Sequence, residues 1–119
     1  MTNEDRVTKR ANLGAHLMLV ARRGGLTTYK ETAPVVGMPP ESAAFWGLLG
    51  EVSLASWADG VLLSAIVVNK ETGYPGNSFF ELAEELVGDE IPDRLAFWAK
   101  AVRDVHDWYS GKEVPPKKR

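Results

Sequence analysis

Apolar residues near the start of the chain recur at spacings of three and four, which is the period of an amphipathic helix. This pattern runs over residues 5–23 and stops at Gly24-Gly25, where glycine supplies the left-handed backbone that often ends a helix. The same period returns over residues 92–110. The sequence therefore predicts a long helix at each end of the domain. The apolar stripe of the second helix holds Leu95, Trp98, Val102, Val105 and Tyr109.

Shorter elements are predicted between the two long helices. Residues 28–31 and 78–81 match the capping box, in which a hydroxyl and a carboxylate each accept a hydrogen bond from a free backbone N–H at a helix start. These starts predict helices that end near Val36 and Val87. A third helix is expected to open at Pro39-Pro40-Glu41, because proline fits the first helical turn.

An uninterrupted, mostly apolar run fills residues 61–68, which are rich in β-branched and aliphatic side chains. Turn residues bound the run on both sides, so we predict a buried strand. The next segment, residues 69–77, holds two glycines, a proline and two asparagines, and is expected to form turns. Residues 111–119 hold two prolines and end in Lys117-Lys118-Arg119, and we expect a disordered basic tail.

Composition restricts the class of protein. A chain of 119 residues with 45% apolar and 25% charged residues fits one folded domain, here residues 1–110. Because there is no cysteine, disulfides, thiolate nucleophiles and cysteine-ligated metal sites are excluded. The apolar runs at residues 13–21 and 61–68 are too short to cross a bilayer, and no basic-then-apolar leader is visible. We expect a cytoplasmic protein without a membrane partner.

Charge is distributed unevenly, although the net charge is only −2. Residues 1–30 carry six basic and two acidic side chains, and residues 94–119 carry seven basic and three acidic ones. Residues 31–93 carry eleven acidic side chains and one basic side chain, Lys70. Both ends of the chain are therefore positive and the middle is negative, which restricts the surfaces that can approach a polyanion.

The order of these elements is that of a winged-helix domain, and residues 26–76 resemble one family in particular. They are similar to the DNA-binding domain of the alkylguanine-DNA alkyltransferases and alkyltransferase-like proteins, which have a helix start like Thr28-Tyr29 and paired alanines like Ala43-Ala44. The resemblance implies that Tyr29 helps to rotate a nucleotide out of the duplex. Residues 64–80 also resemble a small uncharacterised group of bacterial and phage domains, which implies no activity. We therefore predict an α+β, mostly helical, winged-helix-like fold with a small sheet and an added long C-terminal helix.

The chain departs from that family at its reactive site. The Pro-Cys-His-Arg motif would fall near residues 63–66, where this chain has Leu-Ser-Ala-Ile, so no thiol can accept an alkyl group. Phe45 and Trp46 replace the arginine that follows the paired alanines. His16 and His106 are the only two histidines, and no metalloprotease motif, phosphate loop or nucleophile elbow is found. We predict no catalytic residue, metal or cofactor.

Two functions remain open. The first is a non-catalytic winged-helix-like domain that binds duplex DNA. Its candidate residues are Arg6, Lys9, Arg10, Arg22, Arg23, Tyr29, Lys70 and Tyr74. Against it, the third helix carries Glu41 and Glu51 and no basic residue, which disfavours docking in a groove. The second is a protein-interaction module, a regulator or an inhibitor, that uses the acidic middle with Trp46 and Trp57. Solvated helix faces and core packing explain the same residues without either function.

Overall fold

Helices make up most of the structure, which is a computed structural model that describes residues 2–112. In chain order the elements are α1 (Asn3–Arg22), β1 (Thr27–Thr28), α2 (Tyr29–Thr32), a 3-10 helix (Ala33–Val36), α3 (Ala43–Trp57), a second 3-10 helix (Leu63–Ile66), β2 (Val67–Val68), α4 (Asn77–Val87) and α5 (Arg94–Tyr109). The two strands form one small sheet. The predicted α+β class, mostly helical with a small sheet, is confirmed.

Residues 61–68 are buried along their whole length and lie at the centre of the fold. Leu63 and Ile66 join an apolar cluster formed with α1, α3 and α5, whereas Leu62 and Ala65 join a second cluster formed with α4 and α5. Each large side chain buried in this way contributes about 1.5–3 kcal/mol to folding. The run therefore connects the two halves of the core.

The prediction of a strand over residues 61–68 is wrong for most of the run. Only Val67–Val68 is a strand, and Leu63–Ile66 is a 3-10 helix. The reason lies in α3, whose buried serines accept the backbone hydrogen bonds of this segment. The N–H of Leu63 donates to Ser56 Oγ at 3.0 Å, and the N–H of Ser64 donates to Ser53 Oγ at 2.9 Å. These donors thus have side-chain acceptors and need no neighbouring strand.

The sheet pairs β1 with β2 in parallel, with Thr27 opposite Val67 and Thr28 opposite Val68. Immediately after β1 the chain enters α2, and immediately after β2 it enters the loop of residues 69–76. The short sheet therefore holds the start of α2 beside that loop, and these two segments form one side of the cleft described below.

Several helix ends follow the sequence signals. The hydroxyl of Thr28 accepts a hydrogen bond from the N–H of Glu31 at 3.1 Å, as expected for the start of α2. The first helix ends before Gly24, whose φ of +69° is the left-handed conformation predicted there. The last helix of the acidic middle, α4, ends at Val87 as predicted.

Two predicted helix starts are wrong. Helix α3 begins at Ala43, because the hydroxyl of Ser42 accepts a hydrogen bond from the N–H of Phe45 at 3.2 Å and caps the helix there. Pro39 and Pro40 form the preceding turn instead of the first helical turn. Helix α4 begins at Asn77 after Gly76, so Ser78 lies within the helix and is not its cap.

The C-terminal helix is shorter than predicted. Asp93 caps α5 by accepting a hydrogen bond from the N–H of Ala96 at 3.0 Å, and Leu95 is 62% exposed, so the assignment of Leu95 to the core stripe is wrong. Most of the predicted basic tail, residues 113–119, lies outside the described residues. Within residues 2–112, no helix has the length and apolar character needed to cross a membrane.

Candidate binding cleft

A cleft of about 450 Å³ opens between α2, the start of α3, the loop of residues 69–76 and the start of α4. Its volume falls within the range of about 300–1,000 Å³ that is typical of small-ligand sites. Two aromatic rings, two lysines and three carboxylates line it together with the first residues of α4. These side chains belong to Tyr29, Trp46, Lys30, Lys70, Glu41, Glu71 and Glu81.

Tyr29 connects two walls of the cleft. It is the first residue of α2, and its hydroxyl oxygen accepts a hydrogen bond from the N–H of Gly76 at 2.9 Å. Burial raises the pKa of the Tyr29 phenol, while the hydrogen bond from Gly76 acts in the opposite direction. The phenol therefore stays neutral at physiological pH. Its oxygen holds the residue before α4 against α2.

Trp46 presents its ring to the cleft from the first turn of α3 and is 42% exposed. The indole N–H donates a hydrogen bond to the carbonyl oxygen of Pro40 at 3.0 Å. The same turn is closed by Ser42, whose hydroxyl donates to the carbonyl oxygen of Pro39 at 2.8 Å. Because its only polar atom is already bonded, Trp46 offers a ligand its aromatic surface.

The loop of residues 69–76 is a compact turn. The N–H of Asn69 donates to the carbonyl oxygen of Tyr74 at 2.9 Å, and the N–H of Gly73 donates to the carbonyl oxygen of Asn69 at 2.8 Å. Gly73 has a φ of +68°, a conformation that favours glycine. These bonds fix the position of Lys70 at the rim of the cleft.

The charges around the cleft nearly balance, with an excess of one carboxylate. Lys30 Nζ lies 3.3 Å from Glu71 Oε1, and both side chains are more than 60% exposed. The backbone N–H of Glu71 and, after it, Lys30 lower the pKa of the Glu71 carboxyl, so Glu71 is ionised at neutral pH. Lys70 also contributes to the lowered pKa of the Glu71 carboxyl, and Glu41 and Glu81 are the other two carboxylates that line the cleft. In the part of the chain that the structure describes, Lys70 has no carboxylate within ion-pair distance.

A small recess of about 20 Å³ adjoins the cleft and shares Tyr29, Trp46 and Ser78 with it. Ser64 also lines this recess, but its hydroxyl oxygen lies 2.6 Å from Ser53 Oγ in a buried pair. Ser64 falls in the segment where the resemblance expected the reactive cysteine motif. Its hydroxyl is engaged in the core and holds the second 3-10 helix on α3.

The predicted nucleic-acid residues of α1 lie away from the cleft. Arg6 and Arg10 both bond to Glu51 of α3, the latter at 3.1 Å, and Lys9 is half-buried. Burial raises the pKa of Glu51 while the two guanidinium groups lower it, and their combined effect leaves it below its ordinary value. These two arginines are thus committed to an ion pair within the fold.

Arg22 and Arg23 are exposed at the end of α1. The loop that follows them contacts α5, because His106 Nε2 lies 2.8 Å from the carbonyl oxygen of Gly25. Arg103, one turn earlier in α5, is also exposed. We call the exposed Arg22, Arg23 and Arg103 near this contact the basic end, which also carries the exposed carboxylate of Asp107.

The remaining predicted site residues belong to the second apolar cluster. The ring centroid of Tyr74 lies 5.4 Å from that of Phe80 and 5.1 Å from that of Trp98, so Tyr74 packs inward. Trp57 is half-buried and packs against the same cluster. Of the two tryptophans predicted to contact a partner, Trp46 is the more exposed one.

The structure thus brings together Tyr29, Lys70 and Trp46, which the sequence had assigned to two different functions. Lys30 was not predicted as a site residue, and its only signal is its position next to Tyr29. Glu81 was predicted only as part of the acidic middle. Within residues 2–112, no group of three or more metal-ligating side chains is found. No protein-family profile, curated protein or solved structure matches this chain.

Proposed function

We propose that this chain is a non-catalytic protein-interaction module whose binding site is the cleft around Trp46. The observation that carries the proposal is the 42% exposure of this indole in a cleft of about 450 Å³. Tryptophan and tyrosine are the residues most often responsible for binding energy at protein interfaces, and a concave site lets them be fully desolvated. Three carboxylates of the acidic middle, Glu41, Glu71 and Glu81, line the cleft.

Several candidate DNA-binding residues already contact other side chains within the fold, which supports a protein-interaction module over DNA binding. Arg6 and Arg10 are paired with Glu51, and Tyr74 packs inward. Helix α3 carries no basic residue. A phosphate group in the cleft would also have to lie among three carboxylates, which costs electrostatic free energy. The cleft therefore favours a peptide over a nucleic acid.

The experiment is a selection of displayed twelve-residue peptides on the full-length wild-type chain, followed by counter-selection on Trp46→Ala. Leu54→Ala is the matched control, because Leu54 is on the same helix, is 51% exposed and lies outside the cleft. We expect peptides that bind the wild type and Leu54→Ala but not Trp46→Ala. If no peptide is enriched, or if enriched peptides bind Trp46→Ala equally well, the proposal is wrong.

The basic end favours a second candidate function, association with duplex DNA by a winged-helix-like domain. This candidate is supported by the exposed Arg22, Arg23 and Arg103, which lie near the contact between His106 and Gly25. The resemblance of residues 26–76 to the alkyltransferase DNA-binding domain also motivates this candidate. This function would use a different surface from the cleft.

A further inference from the structure

More acidic than basic side chains line the cleft, and one acidic and one basic side chain among them form an ion pair. Lys30 and Glu71 lie 3.3 Å apart and neutralise each other. Lys70 also contributes to the lowered pKa of the Glu71 carboxyl, and the other two carboxylates of the lining are Glu41 and Glu81. With three carboxylates and two lysines, the lining carries a net charge of −1. A cationic group is attracted to such a site and a second anion is repelled.

The two aromatic rings add to this preference. The polar atom of Trp46 is bonded to Pro40 and that of Tyr29 is bonded to Gly76, at 3.0 and 2.9 Å. The Tyr29 hydroxyl accepts its bond and keeps its own hydrogen as a donor. Trp46 offers a ligand only its ring, whose face is electron-rich and attracts a guanidinium or an ammonium group. Aromatic rings and carboxylates in one cleft are thus complementary to an arginine or lysine side chain.

The start of α4 indicates that the cation is carried by a peptide. The first N–H groups of a helix lack the usual helical partners, and among residues 2–112 no side chain caps α4. The N–H of Phe79 donates to the carbonyl oxygen of Gly76 at 3.2 Å, which leaves those of Asn77 and Ser78 to meet a ligand. Asn77 and Ser78 both line the cleft. The carbonyl oxygens of an extended peptide can accept these hydrogen bonds without adding negative charge beside the carboxylates. A nucleotide would bring a phosphate instead.

Building on the proposed function, we infer that the cleft binds a segment of a partner protein through an arginine or lysine side chain. This side chain packs against Trp46 and pairs with Glu41 and Glu81, while the peptide backbone meets the start of α4. Lys70 sets the selectivity, because it repels a second basic residue on its side of the cleft.

The inference is tested by NMR titration of the ¹⁵N-labelled full-length chain with two synthetic peptides. One is acetyl-Gly-Ser-Gly-Arg-Gly-Ser-Gly-Ser-amide, and its twin has glutamine in place of the arginine. We expect the arginine peptide to shift the Trp46 indole N–H and the amides of Asn77 and Ser78. Its dissociation constant should be at least about fivefold lower than that of the twin, as the loss of two exposed ion pairs implies.

Matched variants identify the carboxylates that act. Glu41→Gln with Glu81→Gln should weaken the arginine peptide about fivefold. Glu85→Gln with Glu90→Gln removes the same charge from exposed positions outside the cleft and should leave the affinity within twofold. Equal effects of the two double variants would overturn the inference, because the attraction would then come from net charge alone.

The outcomes separate the inference from the proposed function. If both peptides shift Trp46 with equal affinity, or if neither does, the cation preference is wrong, while Trp46-dependent peptides from the display selection would still support a peptide site. If an octathymidylate oligonucleotide shifts Trp46 and binds more tightly than the arginine peptide, both are wrong and the cleft is a nucleic-acid site.

Discussion

The buried pair of Ser53 and Ser64 gives a quantitative test of why residues 61–68 are not a strand. In Ser53→Ala, the N–H of Ser64 loses its acceptor at 2.9 Å and the hydroxyl of Ser64 loses its partner at 2.6 Å. A buried polar group left without a partner costs about 1–3 kcal/mol. With two groups affected, we expect Ser53→Ala to lower the free energy of unfolding by about 2–4 kcal/mol.

Substitution of the other serine of the pair should lower the free energy of unfolding by less. In Ser64→Ala the backbone N–H at position 64 keeps Ser53 Oγ as its acceptor, and only one hydroxyl loses a partner. We expect a loss of about 1 kcal/mol. The assay is urea unfolding of both variants, followed by tryptophan fluorescence, with the free energy obtained by linear extrapolation. A loss for Ser64→Ala equal to or larger than that for Ser53→Ala would refute the assigned donor and acceptor roles.

Three further predictions concern the ion pair, the cleft and the basic end. Glu51→Gln should destabilise the chain at pH 7 and much less at pH 3. The pKa of Glu51 is lower in the folded state than in the unfolded state. Its contribution to the free energy of unfolding is therefore present above the unfolded-state pKa of about 4.5 and is lost as the pH falls through the folded-state pKa. Equal losses in urea midpoint at both pH values would contradict this. Tyr29→Phe removes the acceptor of a partly buried N–H and should cost about 1–3 kcal/mol in the same unfolding assay, with amide hydrogen exchange at Gly76 accelerated; unchanged exchange would argue against the bond. Arg22→Glu with Arg23→Glu should abolish the gel shift of a 20-base-pair duplex at low salt, whereas Lys70→Glu should leave it, and no shift by the wild type would rule out the DNA function.

The long helices could be predicted from sequence because their signals are local. Helical spacing and Gly24 define most of α1, and Thr28 caps α2 through a residue only three positions away. The run at residues 61–68 could not be read correctly, because its backbone acceptors, Ser53 and Ser56, belong to another helix. Apolar side chains show that such a run is buried but do not show which group satisfies its N–H donors.

The cleft was predictable only in parts. Lys70 and Trp46 were identified as candidates from their residue types and Tyr29 from the family resemblance, and they were assigned to different functions. Their proximity depends on the bond from Gly76 to Tyr29, which joins residues 47 positions apart and leaves no trace in the local pattern. Tyr74 was expected to meet a ligand because it lies in a turn-rich loop, yet apolar partners from α4 and α5 draw it inward.

The most direct test of the cleft around Trp46 is the affinity of one selected peptide, measured by isothermal titration calorimetry for three proteins. For wild type and Leu54→Ala, we predict dissociation constants within about twofold of each other, since isolated exposed side chains outside an interface contribute little. Trp46→Ala should weaken binding by about thirtyfold, the loss of about 2 kcal/mol that defines an energetically dominant interface residue. Equal dissociation constants for all three proteins would contradict the account.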